Sequence, residues 1–293
     1  VSWLSGADIR SRGDLRIGVD VLGEDEMIAA NRGYWEAVVE SHFDSDFYEV
    51  DKWLSTGLSM REREEDLLGD LTDKDVVHLQ CHFGKDSLSI AAAGARVIGI
   101  DYSQTAIEKA RELARRVGLF ERCSFEICSV EEVAVTFVKD LADLVYLSLG
   151  AICWIAKIDS WAKAVDHLLR QGGVLFMHEV HPLAQMVERV DGNWSLSGDY
   201  FEKDSPMIDE SEGSYVDGSD DLGTFKTYIW NHSIGEIVTA LTSRGFVITH
   251  LEEHSWTSFL NAEGMTKSTN EHFVQPDGWV QLPLSFTLMA TKR

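Results

Sequence analysis

Short β-branched runs alternate with helical stretches from residue 76 to residue 180, and this alternation constrains the fold more than any other feature of the chain. Residues 76–80 (VVHLQ) read as a buried strand, 85–94 as a helix closing at Gly94, and 96–101 (RVIGID) as a second strand. Residues 103–118 have the pattern of an amphipathic helix, with Ser103 as N-cap and Gly118 just past the end. Strands at 123–129 and 141–150, a helix at 158–173 and a strand at 174–180 continue the series. Strands joined by helices pack as a parallel sheet covered on both faces.

The flanks have a different texture. Residues 1–23 show no clean period, 24–42 read as a helix carrying aromatics, and 43–70 as a loop and a second helix ending near Gly69. Residues 183–228 are acidic, rich in Ser and Gly, and aperiodic; a loop of that length is expected to be a functional insertion or lid. Regularity returns with a helix at 233–245, the strand FVITHLEEH and a closing strand SFTLMATKR. Four parts are therefore expected: an arm and cap helices (1–70), a cofactor-binding core (71–182), a lid (183–232) and the rest of the core (233–293).

A net charge of −23 and the lack of any Lys/Arg cluster argue against nucleic acid or an anionic membrane surface as partner. The four cysteines form no C-x-x-C pair and no Cys/His metal spacing, so no metal is expected and the thiols read as reduced. The charged N-terminal stretch reads neither as a signal peptide nor as a spanning helix, which points to a cytoplasmic protein. A small-molecule partner is expected, with a homodimer left open.

The segment from Val76 to Asp101 carries the chemistry. A strand, a tight turn (Gln80-Cys81-His82-Phe83-Gly84), a helix and a second strand ending in an acid make a cofactor site: amides at the helix N-terminus face the ligand, and the acid accepts from ribose hydroxyls. Dinucleotides and S-adenosylmethionine share this geometry. A pyrophosphate needs glycine where Gln80 and His82 stand, so a nicotinamide dehydrogenase is disfavoured. S-adenosylmethionine asks less of those positions.

HLQCHFGKDSLSIAAAGARVIGIDYS resembles a bacterial, actinomycete-type family of class I S-adenosylmethionine-dependent methyltransferases of specialised metabolism, near the indole C3-methyltransferases. NRGYW at 31–35, GAICWI at 150–155, HEVHPL at 178–183, YIWNHSIGEIVTAL at 228–241 and the closing LPLSFTLMATKR extend the resemblance from about residue 30 to the end. It implies a doubly wound, Rossmann-like, mostly parallel seven-stranded sheet with an antiparallel last strand and a helical cap. It also implies that Gln80, Cys81, His82 and Gly84 line the methionine end of the cofactor, that Asp101 holds the ribose with Tyr102 beside the adenine, and that Ser129, Val130, Leu147 and Ser148 complete the site. Cys128 stands where many relatives have Asp, which departs from the family at the adenine contact.

Aromatics at the carboxyl edge of such a sheet attract planar substrates. Trp35, Trp154 and Trp230 are the substrate-contact candidates, with nine Trp in the chain. His78 reads as a core histidine and His82 as a functional one. For the base that removes the acceptor's proton, His232 is the first candidate, with His181 and Glu179 competing and Tyr34 orienting. The expected activity is C- or N-methylation of a small aromatic, indole-like metabolite. O-methylation and a non-methylating, cofactor-binding scaffold are the alternatives.

Overall fold

The computed structural model describes residues 22–293 apart from 59, 191–192, 202–204, 260–261, 263 and 269–271. The expected arm thus lies almost wholly outside the described residues. In chain order, cap helices α1 (Glu24–Phe43), α2 (Val50–Thr56) and α3 (Glu62–Leu68) precede β1 (Asp75–Leu79), α4 (Lys85–Ala92), β2 (Arg96–Asp101), α5 (Gln104–Arg116), β3 (Cys123–Ile127), the single turn α6 (Val133–Thr136), β4 (Ala142–Ser148), α7 (Ile158–Leu168) and β5 (Leu169–Val180). Two hairpins follow, β6 (Val187–Val190) with β7 (Asn193–Leu196) and β8 (Met207–Glu212) with β9 (Thr224–Ile229). The chain closes with α8 (Ile234–Thr242), β10 (Phe246–His254), a small sheet of β11 (Trp256–Thr257), β12 (Thr266–Lys267) and β13 (Phe273–Val274), and finally β14 (Ser285–Lys292).

The main sheet has seven strands in the order β10-β14-β5-β4-β1-β2-β3. β14 runs antiparallel to both its neighbours, while β5, β4, β1, β2 and β3 pair in parallel. The expected fold class is the observed one. Each sheet face carries its own core. Trp161 and Val165 of α7 and Leu241 of α8 pack with Val145, Leu147 and Leu175; Leu88 of α4 and Ile107 and Leu113 of α5 pack with Val76, Val97, Tyr146 and Phe176. Strand order reverses between β1 and β4, which opens a crevice at the carboxyl edge there.

Three sequence expectations change. The helix expected over 158–173 stops at Leu168, because Gly172 (φ 79°) is left-handed and Leu169–Gly173 already belongs to β5, bulged against β4. Residues 43–70 hold two short helices rather than one, broken at Gly57 (φ 99°). The segment expected as a lid is not structureless: it is built on two hairpins. β9 docks on α1 through Asn31, whose side chain donates to the Tyr228 carbonyl (2.7 Å) and accepts from the Tyr228 N–H (2.8 Å), as a neighbouring strand would. Glu36, one turn further along α1, accepts from Ser103 Oγ, Gln104 N–H and Thr105 N–H at the start of α5. Partial burial pushes its carboxyl up, but these bonds outweigh that and hold it below the ordinary value. Helix α1 is thereby pinned both to the lid and to the core.

Candidate active site

The turn after β1 keeps a glycine-like backbone without the glycines. Gln80 (φ 54°) and His82 (φ 50°) are left-handed, as is Gly84 (φ 76°). For a residue with a side chain this conformation costs about 1–2 kcal/mol. Local bonds hold it: Gln80 Nε2 donates to the Ala151 carbonyl (2.8 Å), the Cys81 N–H to the Ile100 carbonyl (3.0 Å) and the His82 N–H to Asp101 Oδ2 (2.8 Å). At Gly84 no side chain fits, since a Cβ would lie 2.5 Å from the Phe125 ring.

Above this turn is a cavity of about 390 Å³, a size suited to a small organic ligand. Of the sequence candidates, Gln80, Cys81, His82, Gly84, Asp101, Tyr102, Ser148, Trp35 and Trp154 line it. On the β2 side, Asp101 accepts backbone N–H bonds from His82 and Ser103 (2.9 Å), yet burial pushes its carboxyl up to about 6. On the β4 side stands a group the sequence reading missed. Asp86 Oδ2 accepts from Ser148 Oγ (2.9 Å) and from the Arg61 guanidinium (3.4 Å). Burial alone would raise the Asp86 carboxyl; Arg61, with His78 and Lys85, pulls it down to about 2. Three buried polar atoms on the wall, Gln80 Oε1, Tyr102 OH and His78 Nε2, have no hydrogen-bond partner among the described residues. Buried groups in that state await a ligand or a water.

The third wall is aromatic and comes from the cap helices, the loop after β4, Tyr215 and the segment around β11 and β13. Trp35 and Trp154 meet edge to face (5.3 Å), and Trp35 meets the His82 ring in the same way (5.3 Å). Phe47, Tyr48, Tyr215, Phe259 and Phe273 complete it. Behind this wall runs a buried polar network. His82 Nε2 lies 3.1 Å from His42 Nδ1, His42 Nε2 lies 2.6 Å from Ser214 Oγ, and Tyr34 OH donates to Ser214 Oγ (3.2 Å). Tyr215 OH bonds Tyr48 OH (2.5 Å) and lies 3.5 Å from His42 Nδ1. Burial holds both imidazoles neutral: His82 falls to about 3 and His42 well below its usual value, with its neighbour His82 adding to the depression. No carboxylate among the described residues bonds either ring.

The remaining sequence candidates lie elsewhere. Leu147 points into the core under α7. Ser129 caps the short turn at 130–132, where Glu132 bonds its N–H, and neither it nor Val130 lines the cavity. Trp230 is buried between α1 and β8, with its backbone N–H on the Cys153 carbonyl (2.9 Å). His232 is 2% exposed, does not line the cavity, and places Nε2 2.7 Å from the Ile155 carbonyl. His181 Nδ1 accepts from the Leu183 N–H (3.1 Å), and Nε2 donates to Glu253 (2.8 Å). Glu179 is fully buried and accepts from the amides of Gly150, Ala151, Ile152 and Val180 (2.6–3.0 Å), so it shapes the loop after β4. Tyr34 does not itself line the cavity; it packs behind Trp35 and Trp154 and bonds Ser214 of the His42 network. Asp86 was within reach of sequence reasoning as an acid in the first turn after Gly84; His42, Arg61 and Tyr215 carry no local signal.

Residues 76–173 match the family model described as a methyltransferase domain. The seven-stranded sheet with its antiparallel β14 has the class I methyltransferase fold. Solved structures of similar fold include a Listeria monocytogenes protein assigned as an S-adenosylmethionine dependent methyltransferase (TM-score 0.58, 20% identity, covering 83% of this chain and 99% of that one) and an S-adenosylmethionine dependent methyltransferase from Mesorhizobium loti (0.54, 18%, 84% and 100%). DhpI, in complex with SAH, is a third (0.55, 14%, 92% and 98%). No curated protein matches the chain at a significant level. Among the described residues no helix is long and apolar enough to cross a membrane, and no group of three or more His, Cys, Asp or Glu is placed to hold a metal ion.

Proposed function

We propose that this methyltransferase domain binds S-adenosylmethionine and methylates a small, planar, indole-like acceptor. The observation that carries the reading is a single cavity with a left-handed turn as its floor, Asp101 on one side and a wall of aromatic rings facing them. The bound cofactor supplies a methyl group already activated on sulfonium sulfur, so the protein's task is alignment, exclusion of water and removal of the acceptor's proton. Asp101 would hold ribose hydroxyls, and the unpartnered Gln80 Oε1 and Tyr102 OH offer further polar contacts. Trp35, Trp154 and Tyr215 present ring faces and edges to a planar acceptor.

For the proton, His82 is better placed than His232. Its ring lines the cavity beside Trp35 and bonds a second imidazole. Burial disfavours charge on either ring, so a proton leaving the acceptor would be held only by the pair, shared across the His82 Nε2–His42 Nδ1 contact. Ser214 and Tyr34 orient the pair. The preserved turn at Gln80 and His82 supports cofactor binding, which a non-methylating scaffold would share; methyl transfer separates the two.

The test is incubation with methyl-labelled S-adenosylmethionine and a panel of indoles, aromatic amines and phenols, with product mass as readout. His42→Ala should slow turnover by about 10²- to 10⁴-fold while S-adenosylhomocysteine still binds. Tight cofactor binding without methyl transfer to any acceptor would favour the scaffold instead. Wild-type turnover in His42→Ala would remove the imidazole pair from the mechanism.

A further inference from the structure

We infer that the acceptor is an aromatic acid whose carboxylate is received by Lys267 and His272 at the mouth of the cavity, an inference that rests on the aromatic-acceptor reading above. Both residues lie in the segment that carries β11, β12 and β13, beyond the stretch 76–173 that matches the methyltransferase domain. The same segment contributes the rings of Phe259 and Phe273 to the cavity wall. Rings and nitrogen donors supplied by one segment suit a ligand with a flat apolar body and an anionic end.

Lys267 stands opposite Phe273 in the β12–β13 pair, and His272 immediately precedes Phe273; all three line the cavity. The His272 ring lies flat on Trp256, with centroids 4.0 Å apart and 7° between the planes. Trp256 stacks in turn with His254 (4.6 Å, 20°). The stack fixes the imidazole by its face and leaves its edge, where both nitrogens sit, unspent. Among the described residues no hydrogen bond or ion pair reaches those nitrogens or Lys267 Nζ. The other cations of the wall are committed: Arg61 Nη1 donates to Glu64 (2.8 Å) and Lys85 Nζ to the Tyr48 carbonyl (2.6 Å). The wall also carries Asp46, Glu49, Asp86 and Asp101, yet none of them bonds Lys267 or His272, and Glu49 pairs with Lys52 instead (3.0 Å). Acids outnumber Lys and Arg by 49 to 26 in this chain, so a lysine left without an acid at a cavity is set apart from most of its kind. The two groups divide the work. Burial, with the Arg61 guanidinium nearby, holds the His272 imidazole below its usual value, so it serves as a neutral N–H donor. Lys267, exposed at the mouth, supplies the charge. A carboxylate held there would direct the acceptor's ring inward, towards the wall that holds Trp35, Trp154 and His82.

Calorimetry on the full chain saturated with S-adenosylhomocysteine decides the matter, with indole-3-acetate and indole-3-acetamide as probes. The two share ring and shape and differ in the charge of the side-chain end. Wild-type protein should bind the acid about tenfold more tightly than the amide or better. Lys267→Gln and His272→Phe should each narrow that gap, and the double variant should close it. Affinities for the amide and for S-adenosylhomocysteine should stay at wild-type values in all three, which also reports that the variants fold. Equal affinities for acid and amide on the wild type overturn the inference. So does a full preference for the acid in the double variant. A loss of S-adenosylhomocysteine affinity in Lys267→Gln would assign the lysine to the cofactor and overturn it as well. If S-adenosylhomocysteine binds but neither indole does, the aromatic-acceptor reading falls and takes the inference with it. If S-adenosylhomocysteine itself does not bind the wild type, the cofactor reading falls first and the inference goes with it.

Discussion

Asp101 and Asp86 line the same cavity, on its β2 and β4 sides, and they answer burial in opposite directions. Asp101 meets only backbone amides and the distant charge of Glu36, and its carboxyl rises to about 6. Asp86 meets Arg61, and its carboxyl falls to about 2. The residue type is the same; the neighbour decides the role. Amides leave Asp101 a carboxylate with spare lone pairs that suits uncharged hydroxyl donors. The guanidinium makes Asp86 a permanent charge that suits a cation.

The joint between the two sides is Gly84, and the largest expected effect belongs there. Gly84→Ala forces a Cβ against Phe125 at φ 76°, and we expect a loss of more than about 3 kcal/mol in urea unfolding, or no soluble protein. A variant as stable as wild type would show that the turn can be rebuilt, and the division into two sides with it. Next comes Asp101→Asn, which should weaken S-adenosylhomocysteine by about tenfold to a hundredfold. The raised carboxyl adds a sign: wild-type affinity should fall as pH drops below about 6, where Asp101 takes up a proton, and the Asn variant should be flat there. A flat wild-type profile would mean that Asp101 does not accept from the ligand.

A smaller effect tests the other side. In Arg61→Gln the cation that holds Asp86 down is gone, so its carboxyl should move up from about 2 towards or past the ordinary 3.8, followed by carbon-13 NMR titration. An unmoved Asp86 would make Lys85 and His78 the controlling neighbours. The smallest change is at Glu36, which caps α5 from α1. Glu36→Ala should cost about 1 kcal/mol of stability. Because the folded-state carboxyl is depressed, that contribution is present above the unfolded value of 4.5 and is lost as pH falls through the lower folded value. A pH-independent cost would show that the carboxylate charge is not what caps the helix.

Much of the β2 side was legible in the sequence, because its signals are local. Val76–Gln80 and Arg96–Asp101 announce strands by composition, Ser103 caps α5 as its position promises, with Oγ accepting from the Ala106 N–H, and Asp101 ends its strand at the cavity. The chain lost legibility wherever function depends on residues far apart. His42, His82 and Ser214 meet across 40 and 172 positions, and nothing near His42 in the chain marks it. His232 drew attention by its place after the lid, but its ring is turned to the Ile155 carbonyl. The lid read as loop because Ser, Gly and Asp dominate it, although TFKTYI pairs across the hairpin with Met207–Glu212. The missing glycines leave the backbone of the turn unchanged: the structure keeps it and bears the cost in left-handed residues that carry side chains.

That cost has an evolutionary reading. At position 84 substitution is closed by the Phe125 ring, so a lineage can only keep glycine there. At position 80 glycine would relax the backbone, at the loss of the bond to Ala151 and of the Oε1 that faces the cavity unpartnered. At position 82 it would also relax the backbone, but it would delete the ring that meets His42 and Trp35. If the imidazole pair works as proposed, position 82 is locked by selection on activity and position 84 by space. Position 80 is then held more weakly, by its bond to Ala151 and by the Oε1 it offers the cofactor.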